Sequence, residues 1–153
     1  MPIPDLIDNV LPEGVHDCTI DEIVAVFGRF QRSDRRIGLT EKLRAYLIEA
    51  KRVGVVAVYV DGSYVTAKDD PEDIDLIVIL PSGWDFSRDL KPFEYNTVTK
   101  TGIKRIKLPF DLFVYAEGSD EIARMVAFFS QTNRVKYPEF TARTQKGLLR
   151  VRL

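Results

Sequence analysis

Val55–Val78 reads VVAVYVDGSYVTAKDDPEDIDLIV, and the way this stretch divides decides the fold. Val55–Val60 is a near-continuous, Val-rich apolar run, the pattern of a central strand covered on both faces. Asp61-Gly62-Ser63 turns the chain, with Asp61 expected to cap that turn and a metal or substrate contact as its alternative role. Tyr64–Ala67 suggests one turn of helix, whose N-terminal N–H groups favour an anion near Ser63. Lys68–Glu72 is a polar loop containing Pro71, and Asp73–Leu80 is a second strand closed by Pro81. Strand side chains alternate faces, so Asp73 and Asp75 project from the same side. Two neighbouring carboxylates repel unless a proton or a cation lies between them. Their oxygens suit a hard divalent ion such as Mg²⁺. Gly62 lets backbone approach a ligand closely, and Ser63 offers a hydroxyl and an N–H. A turn that donates to anions beside a carboxylate cation site suits a metal–nucleotide complex.

Upstream, residues 1–17 hold Pro2, Pro4, Pro12 and Gly14 and read as an irregular arm. Thr19-Ile20-Asp21-Glu22 is a capping box that starts a short helix through Phe27, with Gly28 as its stop. Ser33 or Asp34 caps a longer helix to about Arg52, carried by Leu43, Tyr46, Leu47 and Ala50, and Gly54 ends it. Arg35, Arg36, Lys42 and Arg44 read as its wet face. His16 and Cys18 read as structural: each is the single residue of its type, and Cys18 has no partner for a zinc site.

Downstream, Trp84, Phe86, Leu90 and Phe93 suggest a helix at about 86–96, with the aromatic residues of 86–129 as core or lid. Ile103–Leu108 alternates apolar and basic residues, the pattern of an edge strand. Phe110–Tyr115 is a third apolar strand, interrupted by Asp111. Ser119 caps a helix over about 120–130, with Asp120 and Glu121 at its positive end. Residues 133–145 read as an irregular crossover. Lys146-Gly147 is a turn, or a late phosphate contact, before a last strand over Leu149–Leu153. The order implies one α+β (α/β) domain over 1–153, with a mixed sheet of four to five strands flanked by helices.

The totals narrow the function. With 22 Lys+Arg against 23 Asp+Glu and a net charge of −1, a broad, sequence-independent grip on nucleic acid is not expected. No apolar run is long enough to span a membrane and the N-terminus has no signal-peptide pattern, so no membrane association is expected. A single cysteine excludes an internal disulfide and suits the cytoplasm.

An aspartate inside PFDLFVY is costly to bury unless something pairs with it. If its strand neighbours Asp73–Leu80, Asp111 joins Asp73 and Asp75 as a third carboxylate; otherwise Arg105 or Lys107 is its ion-pair partner. Gly62-Ser63, nine intervening residues, Asp73-Ile74-Asp75-Leu76 and Phe110-Asp111-Leu112 together resemble the DNA polymerase β-like nucleotidyltransferase superfamily, in its minimal form. Leu11-Pro12, Gly14 and His16, the segment VDGSYVTAK at 60–68 and KGLLRVRL at 146–153 also look like a family of short bacterial proteins with that fold. The resemblance implies that Asp73, Asp75 and Asp111 hold one or two Mg²⁺ ions, with Asp111 also the base. It implies that Gly62 and Ser63 hold the triphosphate of an NTP, ATP favoured; Lys68 meets phosphate or solvent. NMP, possibly AMP, would pass to a hydroxyl of a protein, RNA or small molecule. The alternative is an inactive binding module, an antitoxin or regulatory subunit, whose protein partner is encoded nearby.

Overall fold

The computed structural model describes residues 2–30, 33–133 and 138–153. Five strands are built in chain order: β1 (Val15–Asp17), β2 (Ala57–Asp61), β3 (Ile74–Leu80), β4 (Phe110–Ala116) and β5 (Leu148–Arg152). They form one mixed sheet in the order β1-β5-β2-β3-β4. The pairs β1/β5 and β3/β4 are parallel, and β2 is antiparallel to both of its neighbours. A parallel pair needs a crossover, and between β3 and β4 the chain supplies it as α3 (Pro92–Val98) and α4 (Lys100–Arg105). The other helices are α1 (Ile20–Ile23), α2 (Asp34–Val53) and α5 (Asp120–Phe129).

The sheet separates two apolar layers because its strands alternate. Ile74, Leu76, Val78 and Leu80 of β3 join Val58, Val60, Leu112, Leu149 and the α2 stripe of Leu39, Leu43, Tyr46, Leu47 and Ala50 in the main core. Tyr59, Ile77 and Ile79 point the other way and are covered by Ile122, Met125, Val126 and Phe129 of α5. This second face carries the aspartates at one end of its strands.

The capping box at Thr19 is present, with the Thr19 hydroxyl accepting from the Glu22 N–H and Glu22 accepting from the Thr19 N–H. The helix it opens runs on as a π-helical turn through Val24–Gly28. Ser33 caps α2 and Gly54 ends it in the left-handed region at φ 103°. Ser119 caps α5.

Several expectations need correction. The arm is not wholly irregular: Val15–Asp17 is an edge strand on β5, too short for a two-residue period to register. Arg36 does not lie on a wet face. It is fully buried, and its guanidinium donates to the carbonyls of Tyr64 (2.5 Å), Thr66 (2.8 Å), Lys68 (2.7 Å) and Phe27 (3.4 Å). Residues Ile103–Leu108 are not an edge strand, because α4 runs through Arg105 and Leu108 follows in a loop. The Thr99 hydroxyl caps α4 by accepting from the Gly102 N–H at 2.9 Å. Ile103 is fully buried and Ile106 exposed, so the apparent alternation had no sheet face to serve. The helix expected at 86–96 begins only at Pro92, a favoured first helical residue. The expected crossover at 133–145 includes residues 134–137, which lie outside the described residues; its described part holds no helix or strand.

Candidate active site

Register sets Asp75 beside Asp111, and Asp73 lies two residues ahead of Asp75. Asp75 pairs with Asp111 across β3/β4 and with Asp61 across β2/β3. Directly paired residues share a face, so these acids stand side by side on the α5 side of the sheet. Asp73, just before β3, lines the same cavity as Asp75. The cavity measures about 850 Å³ and is also lined by Gly62, Ser63, Lys68, Phe129, Thr132 and Lys146. A volume of this order holds a nucleotide-sized ligand.

Proximity and burial disturb the acids. Burial, then Asp73, Asp61 and Asp111, push the Asp75 carboxyl up to about 7. Asp73 is raised by burial, then by Asp111 and Glu72, and Lys68 opposes this. Asp61 is raised by burial, against the pull of Lys146 and the Gly62 N–H. Carboxylates that raise one another's pKa in this way favour a cation between them.

The turn is shaped by the same acids. Gly62 has φ 87° and ψ −169°, a conformation open essentially to glycine alone. A Cβ there would stand 2.6 Å from Asp75 Oδ2, so only glycine lets the turn close over that carboxylate. Ser63–Val65 then forms a single 3-10 turn rather than an α-turn. The Thr66 hydroxyl donates to Ser63 O (2.7 Å) and accepts from the Lys68 N–H (3.1 Å). Arg36 ties down the carbonyls of residues 64, 66 and 68 from below, so a buried arginine on α2 shapes the loop that carries Ser63 and Lys68.

Asp111 stands apart from the other acids in one respect. It is half exposed, and its partner is Lys100 of α4, at 3.6 Å, not Arg105 or Lys107. The Lys100 ammonium also lies 4.2 Å from the Phe113 ring centroid. A pair this exposed contributes little and is easily exchanged. Among the described residues, no three His, Cys, Asp or Glu side chains are gathered closely enough to hold a metal ion as they stand. The acids fit Mg²⁺ in oxygen chemistry and shared face, and Lys100 is the cation that stands beside Asp111 here.

Asp61 also departs from expectation. It ends β2, with its side chain 1% exposed, and pairs with Lys146 at 3.2 Å, while the Gly62 N–H of the turn also lowers its pKa. Sequence reasoning missed this pair, which joins positions 85 residues apart. It also missed Lys100 and the structural role of Arg36. Two bland readings hold. His16 Nε2 lies 2.7 Å from Pro12 O in a part-buried structural contact, and burial pushes the Cys18 thiol up to about 12.

No helix among the described residues is long and apolar enough to cross a membrane. The model of a family described as "Family of unknown function (DUF6932)" matches residues 4–152. No curated protein and no solved structure matches the chain.

Proposed function

The chain belongs to that family of unknown function, and we propose that it is a cytoplasmic, magnesium-dependent nucleotidyltransferase, transferring NMP from an NTP, ATP favoured, to a hydroxyl. One observation carries the reading: the β3/β4 register sets Asp75 beside Asp111, on the face where Asp73, Gly62 and Ser63 share a cavity. The superfamily resemblance supports it independently of the coordinates.

In this reading Asp73 and Asp75 would hold Mg²⁺, and Asp111 would be the third ligand. The ion supplies charge neutralisation for the triphosphate and the departing pyrophosphate. The Gly62-Ser63 turn presents N–H and hydroxyl donors to the phosphates, with Lys68 beside them. The acceptor oxygen forms a bond to the α-phosphorus, and the bond from that phosphorus to the pyrophosphate oxygen breaks. The hydroxyl proton passes to Asp111, and the electron pair leaves with pyrophosphate. Such transfer depends mostly on positioning and charge stabilisation, so a small site suffices.

The test is transfer of label from an α-labelled NTP to an acceptor in a cell extract. Asp73→Asn and Asp75→Asn are each expected to abolish it, and equal labelling by both variants removes the mechanism. The Lys100 contact favours a second reading, in which Asp111 is retained for structure and the domain binds a neighbouring gene product as an antitoxin or regulatory subunit. That reading gains if no magnesium–nucleotide binds at millimolar level while such a partner co-purifies.

A further inference from the structure

Lys146 lines the cavity from the segment before β5, together with Gly62 and Ser63 of the turn. Its side chain is 13% exposed and its ammonium is held by Asp61 at 3.2 Å. The Lys146 N–H donates to Ser130 O at 2.7 Å, which fixes the backbone against the end of α5. Two features set this pair apart from an ordinary buried ion pair. Asp61 Oδ2 is buried with no hydrogen-bond partner among the described residues, so the pair is not closed into a satisfied network. Lys146 also forms part of the cavity wall, and its charge acts on Asp75 as well as on Asp61.

We infer that Lys146 is a phosphate-binding residue of this cavity, taking the terminal phosphates of a magnesium-bound polyphosphate, and that Asp61 is its positioning residue. This deepens the nucleotidyltransferase reading and rests on it for the bound metal. A polyphosphate anchored at Gly62-Ser63 meets acids along β3 and needs a cation beside the turn to offset its charge. A lysine stem turns about several bonds while a carboxylate buried at the strand end does not. The ammonium has three donors, so it can take a phosphate oxygen while keeping Asp61, and neither charge is left unpaired in a partly buried place.

The experiment is calorimetry with magnesium tripolyphosphate on the full chain. Asp61→Asn and the double variant Asp61→Asn/Lys146→Met are compared with the unaltered protein, and thermal melts confirm the fold. Neutralising both members avoids leaving a buried carboxylate alone. The double variant is expected to bind about tenfold more weakly than Asp61→Asn, the loss of one charge-assisted contact. A difference below about threefold, or no binding by the unaltered protein, overturns the inference. If the double variant does not fold, acetylation of the unaltered protein decides: tripolyphosphate must protect Lys146 and leave Lys42 on α2 unprotected, and unchanged labelling of Lys146 overturns the inference. The two readings fail separately. Lysine-dependent tripolyphosphate binding without nucleotide transfer sinks the transferase and keeps the subsite. Nucleotide transfer with an unchanged KM in the double variant does the reverse.

Discussion

At the level of single residues, Asp75 ties stability to function. Its pKa rises from 3.8 to about 7 on folding, first because it is buried and then because Asp73, Asp61 and Asp111 surround it. A carboxyl raised in the folded state makes that state bind the proton more tightly than the unfolded chain. Stability therefore falls as pH rises from about 4 to about 7 and levels off above that range. The melting temperature in chelator is expected to decline across this window, and Asp75→Asn to make the decline shallower. Asp17 does not confuse the result: Arg150 holds it down at about 2, so its contribution changes only below the window. A slope unchanged by the substitution would refute the assignment. Arg36 shows where residue-level reading failed. A run of basic residues is usually solvated, and nothing in RRIGLTEKLR marks one of them as buried. The carbonyls that receive Arg36 lie about one turn past β2, a contact set only by folding. Arg36→Met is expected to cost about 3 kcal/mol or more in denaturant unfolding, since it leaves several buried carbonyls unpaired. Arg36→Lys is not expected to restore it, because a single ammonium cannot serve carbonyls spread along the loop.

Among the elements, those with local chemical signals were legible and those defined by remote partners were not. Thr19, Ser33, Gly54 and Ser119 announce helix ends through groups within a few residues, and each does so in the structure. The Asp-Ile-Asp strand and the Phe-Asp-Leu strand were legible through their apolar period. Their adjacency was only conditional until the register of β3 and β4 fixed it. Helix α4 was misread because Ile103–Leu108 mixes apolar and basic residues, although Ile103 and Ile106 stand three apart, a helical and not a strand spacing. The deciding contact is Gly102, which lets α4 press against the end of α3. A Cβ at that position would stand 2.2 Å from Tyr95 O and 2.8 Å from Asn96 Cα. Both obstacles are backbone, so one helix must move. Gly102→Ala is expected to destabilise by about 1–3 kcal/mol, the range for overpacking. Because α4 carries Lys100, the same change shifts the partner of Asp111. An unfolding midpoint equal to that of the unaltered protein would show that the helices part without cost.

For the molecule as a whole, the arm that begins the chain and the strand that ends it form one structural unit at the edge of the sheet. Three residue pairs join β1 to β5: Val15↔Leu148, His16↔Leu149 and Asp17↔Arg150. The Gly147 N–H donates to Leu11 O and the Leu148 N–H to Gly14 O, so the arm also holds the segment that carries Lys146. Gly147 lies so close that a Cβ would stand 2.1 Å from Pro12 O. Val10 and Leu11 are buried, and Val10 forms part of the cavity wall. The arm therefore belongs to the core and to the candidate site alike, despite its prolines. Removing residues 2–17 strips this burial, worth about 1.5–3 kcal/mol for each large apolar side chain. At about 2–4 °C per kcal/mol for a chain of this size, the melting temperature is expected to fall by roughly 10 °C or more. The same deletion exposes β5 as an unpaired edge, and an open edge recruits other strands. Light scattering is then expected to show association of the truncated chain at concentrations where the full chain shows less. A truncated chain with the full melting temperature and unchanged scattering would mean that β5 is held by β2 alone, and Lys146 would then need another restraint to stay beside Asp61.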